Sequence, residues 1–209
     1  MNPSERTRRQ ALRRLAGAVP AALLAGCGFG RAPRTDFYLL RDAQADAAAM
    51  PGATLDKVLL VASGAMPGLY DSDRMVFSAD GRSRSYFQYG YWSERPAQAL
   101  LRLAETRLQG SKRFREVALS TAGVRGDLLL SLRLDELYLD TSVEPAQVRL
   151  SVAAELLDWH QRRLLSRRSF AQAVPVARRD AAGLAEAASQ ATGAMLGELV
   201  DWAAASAAG

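Results

Sequence analysis

"GDLLLSLRLDELYLD", Gly126 to Asp140, is the stretch on which the fold turns. Leu128, Leu130, Leu132 and Leu134 recur with a period of two, as side chains do on one face of a strand. The apolar phase then moves to Leu137 and Leu139. A slip of one residue turns every later side chain to the opposite face, so the run predicts one long strand with a bulge near Asp135-Glu136.

Working outward toward the C-terminus, Val148, Leu150, Val152, Ala154 and Leu156 alternate again with polar neighbours. A turn is expected at "DWHQRR", and a further strand from Leu164 to Gln172. Asp180 is placed to cap a helix whose Leu184, Ala188, Ala191, Met195, Leu199 and Trp202 step by four and three, a stripe suited to packing on a sheet. Toward the N-terminus, "RPAQALLRLAETRLQGS" predicts a helix opened by Pro96 and ended at Gly110, with Ala97, Leu100, Leu101, Ala104 and Leu108 on one face. "RFREVAL" (Arg113 to Leu119) and "LDKVLLVAS" (Leu55 to Ser63) read as strands, and "FYLL" (Phe37 to Leu40) as a short buried one. "RMVFSADGRSRSYFQYGYW" (Arg74 to Trp92) reads as a hairpin around Asp80-Gly81. Ala43 to Ala53 is a small-residue loop with a Pro-Gly break. No repeat at solenoid spacing is visible. Residues 37–209 thus predict a single α+β domain, mainly an antiparallel sheet with two main helices packed on it.

The 209 residues carry a formal charge of +5, which superficially suits nucleic acid. Five of the 27 basic residues lie before Cys27, leaving 22 basic against 21 acidic residues beyond it. The body therefore lacks the basic footprint of a nucleic-acid binder.

Residues 1–26 read as a signal peptide: a positive start, then an apolar run from Leu15 to Ala25, about half the roughly 20 residues a membrane-spanning helix needs. "TRRQALR", with Arg8 and Arg9, resembles the twin-arginine export pattern, although Ala11 stands where that pattern prefers Phe; a general secretory route stays open. Leu24, Ala25, Gly26 and Cys27 resemble a bacterial lipobox. That resemblance implies cleavage before Cys27 and a diacylglyceryl group on its sulfur, a covalent lipid in place of any cofactor. Burying each CH₂ contributes about 0.8 kcal/mol, so two or three acyl chains anchor durably. Gly28 in place of Asp favours the outer membrane by the enterobacterial sorting pattern. Residues 27–36 form the lipidated N-terminus and tether, and the last nine reach about 30 Å when extended.

Catalytic machinery is hard to find. His160 is the sole histidine, so a metal site is not expected, and a Ser-His-Asp triad would depend on a residue in a hairpin turn. There is no Walker A, H-E-x-x-H or G-x-S-x-G sequence. The acid pairs Asp71 and Asp73, and Asp135 and Glu136, sit beside turns and bulges and read first as solvated charges. The doublets Arg162-Arg163, Arg167-Arg168 and Arg178-Arg179 read as a charged edge guarding an exposed strand, with contact to anionic headgroups or an acidic partner as the functional alternative.

Aromatics are more telling. Seven of the fifteen fall between Tyr70 and Trp92. On a regular strand Phe87, Tyr89 and Tyr91 share one face and Tyr86 and Trp92 take the other. Two bulky faces exceed what a half-exposed strand needs. Tyr70, Tyr86, Phe87, Tyr89, Tyr91 and Trp92 are therefore candidates for contact with a protein neighbour or lipid.

"PGLYDSDRMVF" (Pro67 to Phe77), "YFQYGYWSERPAQAL" (Tyr86 to Leu100) and "GSKRFREV" (Gly110 to Val117) together resemble the ABC-type transport auxiliary lipoproteins, which include PqiC-like proteins. Leu69 and Tyr70 are extra relative to the family's turn. The resemblance implies a non-enzymatic partner of MCE-type transport systems, which move phospholipids or other hydrophobic molecules between envelope membranes, and a homo-oligomeric ring in some relatives. An envelope-assembly scaffold, or a lipoprotein hydrolase using Ser, Asp or Glu, are the competing readings.

Overall fold

The computed structural model describes residues 34–46, 52–65 and 68–209. The leader, Arg8, Arg9, the lipobox and Cys27 lie outside the described residues, as does most of the tether. The folded unit spans Thr35–Gly209.

Its spine is the strand over Leu128–Asp140, the sixth in chain order and here β6. Antiparallel to it runs β7 (Gln147–Asp158), in register from Leu128↔Asp158 to Asp140↔Gln147. β8 (Arg163–Pro175) extends the sheet antiparallel to β7. The other edge of β6 is shared by two parallel partners. β2 (Leu55–Ser63) lies along its first half, Leu59↔Leu128 to Ser63↔Leu132. β3 (Arg74–Ser78) lies along its end, at Phe77↔Leu139. The register shift between Leu134 and Glu136 falls between those two partners, at the predicted bulge.

The sheet is completed by β4 (Ser85–Trp92), antiparallel to β3, by β1 (Asp36–Tyr38), parallel to β4, and by β5 (Phe114–Leu119), parallel to β2. It is therefore mixed, with its longest ladders antiparallel.

The bulge keeps the leucines on one side. Leu128, Leu130, Leu132, Leu134, Leu137 and Leu139 are all buried despite the change of phase. Tyr138 and Asp140 turn to the opposite face and are buried as well. α1 (Pro96–Gly110) buries Ala97, Leu100, Leu101, Ala104 and Leu108, and also Ala99. α2 (Ala181–Ala208) starts where Asp180 accepts a hydrogen bond from Gly183 N at 2.7 Å, satisfying a donor the helix itself cannot. Its Leu184, Ala188, Ala191, Met195 and Leu199 are buried. Trp202 is half-buried, edge-on to Phe170 at 5.7 Å, with its indole N–H donating to Ser166 Oγ.

The structure departs from expectation at "FYLL". β1 is a three-residue edge strand in which Phe37 is exposed and Tyr38 packs against the core; just beyond it Leu39 is exposed and Leu40 is buried. Among the described residues β1 ends the strand order and pairs with β4 alone.

An exposed aromatic face on the β3–β4 hairpin

The hairpin is held at its turn by one carboxylate. Asp80 Oδ1 accepts from Arg82 N at 2.8 Å, Ser83 N at 2.7 Å and Ser83 Oγ at 2.9 Å. These hydrogen bonds, the Ser83 amide foremost, lower its pKa to about 2. Gly81 follows with φ +74°, a left-handed conformation that costs glycine little.

Register then decides which aromatics face outward. Between the pairs Arg74↔Tyr91 and Val76↔Tyr86, β3 advances two residues and β4 five, so β4 bulges widely. The simple alternation expected for this strand fails as a result. Phe87 turns inward against Phe77, ring centroids 5.0 Å apart, while Tyr86 and Tyr91 share the opposite face with Val76 and Arg74. Trp92 is buried on the inner face beside Tyr38, its register partner.

The opposite face is partly closed. Tyr70 and Tyr138 are buried there with Arg84, whose guanidinium lies 3.7 Å from the Tyr138 ring centroid and 3.8 Å from Glu136. Burial raises the pKa of both tyrosines, against the pull of Arg84. Of the six candidate aromatics, Tyr70 and Trp92 are thus core residues, and Phe87 and Tyr91 are half-buried. Tyr86 and Tyr89 remain exposed at 36% and 40%. Arg74 lies over the Tyr86 ring, 4.1 Å from its centroid. Tyr86 also lines a groove of about 500 Å³ with Phe77, Phe87, Leu139, Thr141, Gln88 and Arg179.

Most of the charged groups singled out in sequence are occupied. Asp71 meets Arg95 at 3.4 Å, Asp135 meets Arg133 at 2.6 Å and Glu136 meets Arg84. Arg167 pairs with Glu155 at 2.7 Å, Arg168 with Glu198 at 2.9 Å, Arg178 with Asp180 at 3.7 Å, and Arg179 with Glu144. His160 lies in the β7–β8 turn, 3.4 Å from Asp127 Oδ1, and no hydrogen bond among the described residues joins it to a serine. Asp127 is held below the usual carboxylate range, chiefly because its Oδ2 accepts from Val58 N at 2.7 Å. Among the described residues no cluster of three His, Cys, Asp or Glu side chains could hold a metal ion.

Residues that sequence reasoning passed over are Trp159 and Leu164, both about half-exposed beside Arg162 and Arg163 at the β7–β8 tip, and the exposed pair Phe37 and Leu39. The signal for that last pair was its spacing of two at the start of the fold, read instead as burial.

The assembled molecule is an α+β domain with Tyr86 and Tyr89 exposed on its β3–β4 hairpin. The chain belongs to the family of ABC-type transport auxiliary lipoprotein components, whose model matches residues 38–200. The fold is shared with protein XCC0632 from Xanthomonas campestris at a TM-score of 0.75 and 20% identity, over 83% of this chain and 97% of that one. An uncharacterized protein matches at a TM-score of 0.64 and 12% identity, over 81% of this chain and 99% of its own. No functionally curated protein matches the sequence. Among the described residues no helix is long and apolar enough to cross a membrane.

Proposed function

We propose that this protein is a lipid-anchored, non-enzymatic accessory of an MCE/ABC-type transport system, docking on or aligning a conduit for phospholipid or other hydrophobic cargo between envelope membranes. The observation that carries the proposal is the exposed Tyr86 and Tyr89 face of β4 in a chain of this family. Amphipathic rings at half exposure suit a protein interface, and the groove beside Tyr86 offers an apolar pocket for a partner's side chain. Cys27 holds the lipid, on the periplasmic side and in the outer membrane.

The test is purification of the intact lipoprotein from its native envelope in mild detergent, with mass spectrometry of the companions and of the Cys27 peptide. An acylated Cys27 together with MCE, permease or ATPase subunits is the expected result. Recovery of acylated protein with envelope-assembly proteins only would favour the scaffold reading instead.

A further inference from the structure

β1 holds the most conspicuous unexplained feature of the surface. Phe37 is 67% exposed and Leu39 49% exposed, two apolar side chains spaced by two, the first on the edge strand and the second just past its end. They line a groove of about 510 Å³ together with Ala185, Glu186, Ser189 and Gln190 of α2. Phe37 is backed by Tyr91, its register partner, with ring centroids 5.9 Å apart, so the exposed ring is held by the sheet.

Both signs of charge line this groove, with Glu186 exposed on α2. Asp42 turns inward, 3.4 Å from Arg107, with both side chains largely buried. Its neighbour Arg41 is exposed, and its backbone N–H is fixed by Ser189 Oγ at 3.2 Å. An aromatic, an aliphatic and a cation on one rim match the boundary between acyl chains and phosphate headgroups.

Chain length selects the occupant. Between Cys27 and Phe37 stand nine residues, which reach about 30 Å at full extension and less in any other conformation. We infer that Phe37 and Leu39 enter the headgroup boundary of the bilayer that holds the anchor, with Arg41 at the phosphates, and so fix the orientation of the domain on that membrane. This rests on the reading of Cys27 as the lipid-bearing residue.

The chain has one native cysteine, which acylation blocks, so a single introduced thiol can be labelled cleanly. The full-length lipoprotein carrying Phe37→Cys, or Trp159→Cys as the comparison, is labelled with an environment-sensitive dye. It is then reconstituted into vesicles of phosphatidylethanolamine and phosphatidylglycerol, some bearing spin-labelled acyl chains. The expected result is a blue shift and quenching by the spin label at position 37, with neither at position 159. A protein that floats with the vesicles and carries acyl mass on Cys27, yet leaves the dye at 37 as accessible to aqueous iodide as at 159, overturns the inference alone. A blue shift without quenching by the lipid label also overturns it, since protein would then cover the pair. Absence of both acyl mass and flotation overturns the anchor reading and the inference with it.

Discussion

Asp80 and Tyr86 sit six residues apart, and their behaviour follows from how each meets water. The Asp80 carboxylate has a folded pKa of about 2 against an ordinary value of 3.8. A group depressed in the folded state contributes stability that is complete above its unfolded pKa and is lost as pH falls through the folded one. The stability difference between wild type and Asp80→Asn should therefore be full at neutral pH, shrink below about pH 4 and close near pH 2; urea titrations across that range measure it. Tyr86→Ala and Tyr89→Ala, at exposed positions, should each change unfolding free energy by no more than about 0.5 kcal/mol. Trp92→Ala should cost about 3–5 kcal/mol because that side chain is 2% exposed and its removal leaves a cavity. Chemical denaturation of the three variants checks the division between core and surface. At this scale the cap at Asp180 and the apolar positions of α1 were legible in sequence, since each depends on neighbours within a turn or two. The inward turn of Phe87 was not, because it depends on the register with β3.

The irregularities of β6 and β4 differ in how far the sequence reveals them. In β6 both phases of the leucine pattern lie within one strand, so the shift between Leu134 and Glu136 was readable directly. In β4 aromatic side chains occur in both phases, and the pattern gives no sign of a break. Deleting Asp135 should restore a single phase, bringing Leu137 and Leu139 into step with Leu128 to Leu134, so that all six leucines face the core without a bulge and Asp140 stays on the far face. Retention of a cooperative thermal transition, followed by circular dichroism, is the expected outcome; its loss would show that the bulge itself is required. Gly90 marks where β4 meets α2: a Cβ there would stand 2.6 Å from Ala181 Cβ and 3.3 Å from Met75 Sδ. Gly90→Val should destabilise the fold by about 1–3 kcal/mol through overpacking, readable as a lowered urea midpoint with an unchanged slope.

At the scale of the whole molecule, strand and helix boundaries and the α+β class were legible because nearly every element has a clean period. The topology was less so. Nothing in the pattern of β6 announces that β2 and β3 share one of its edges in parallel, since parallel pairing is set by crossovers and not by the strand's own residues. The exposed face follows the same rule: an excess of aromatics between Tyr70 and Trp92 was visible in sequence, while their division into core and surface came only with the pairing of β1, β3 and β4. What results is a domain with an aromatic face on one hairpin, an apolar edge where the tether arrives, and charges mostly paired elsewhere.

Tyr86 is the residue whose contact in the envelope defines the proposed role most directly. A photocrosslinking residue placed at Tyr86 in the full-length lipoprotein, with the exposed Ser169 of β8 as the comparison position, reports that contact directly after irradiation of intact cells and mass spectrometry of the adducts. The expected result is an adduct from position 86 with an MCE, permease or ATPase subunit and none from position 169. Normal levels of acylated protein with no transporter adduct from position 86, or equal adducts from both positions, would contradict the proposed role.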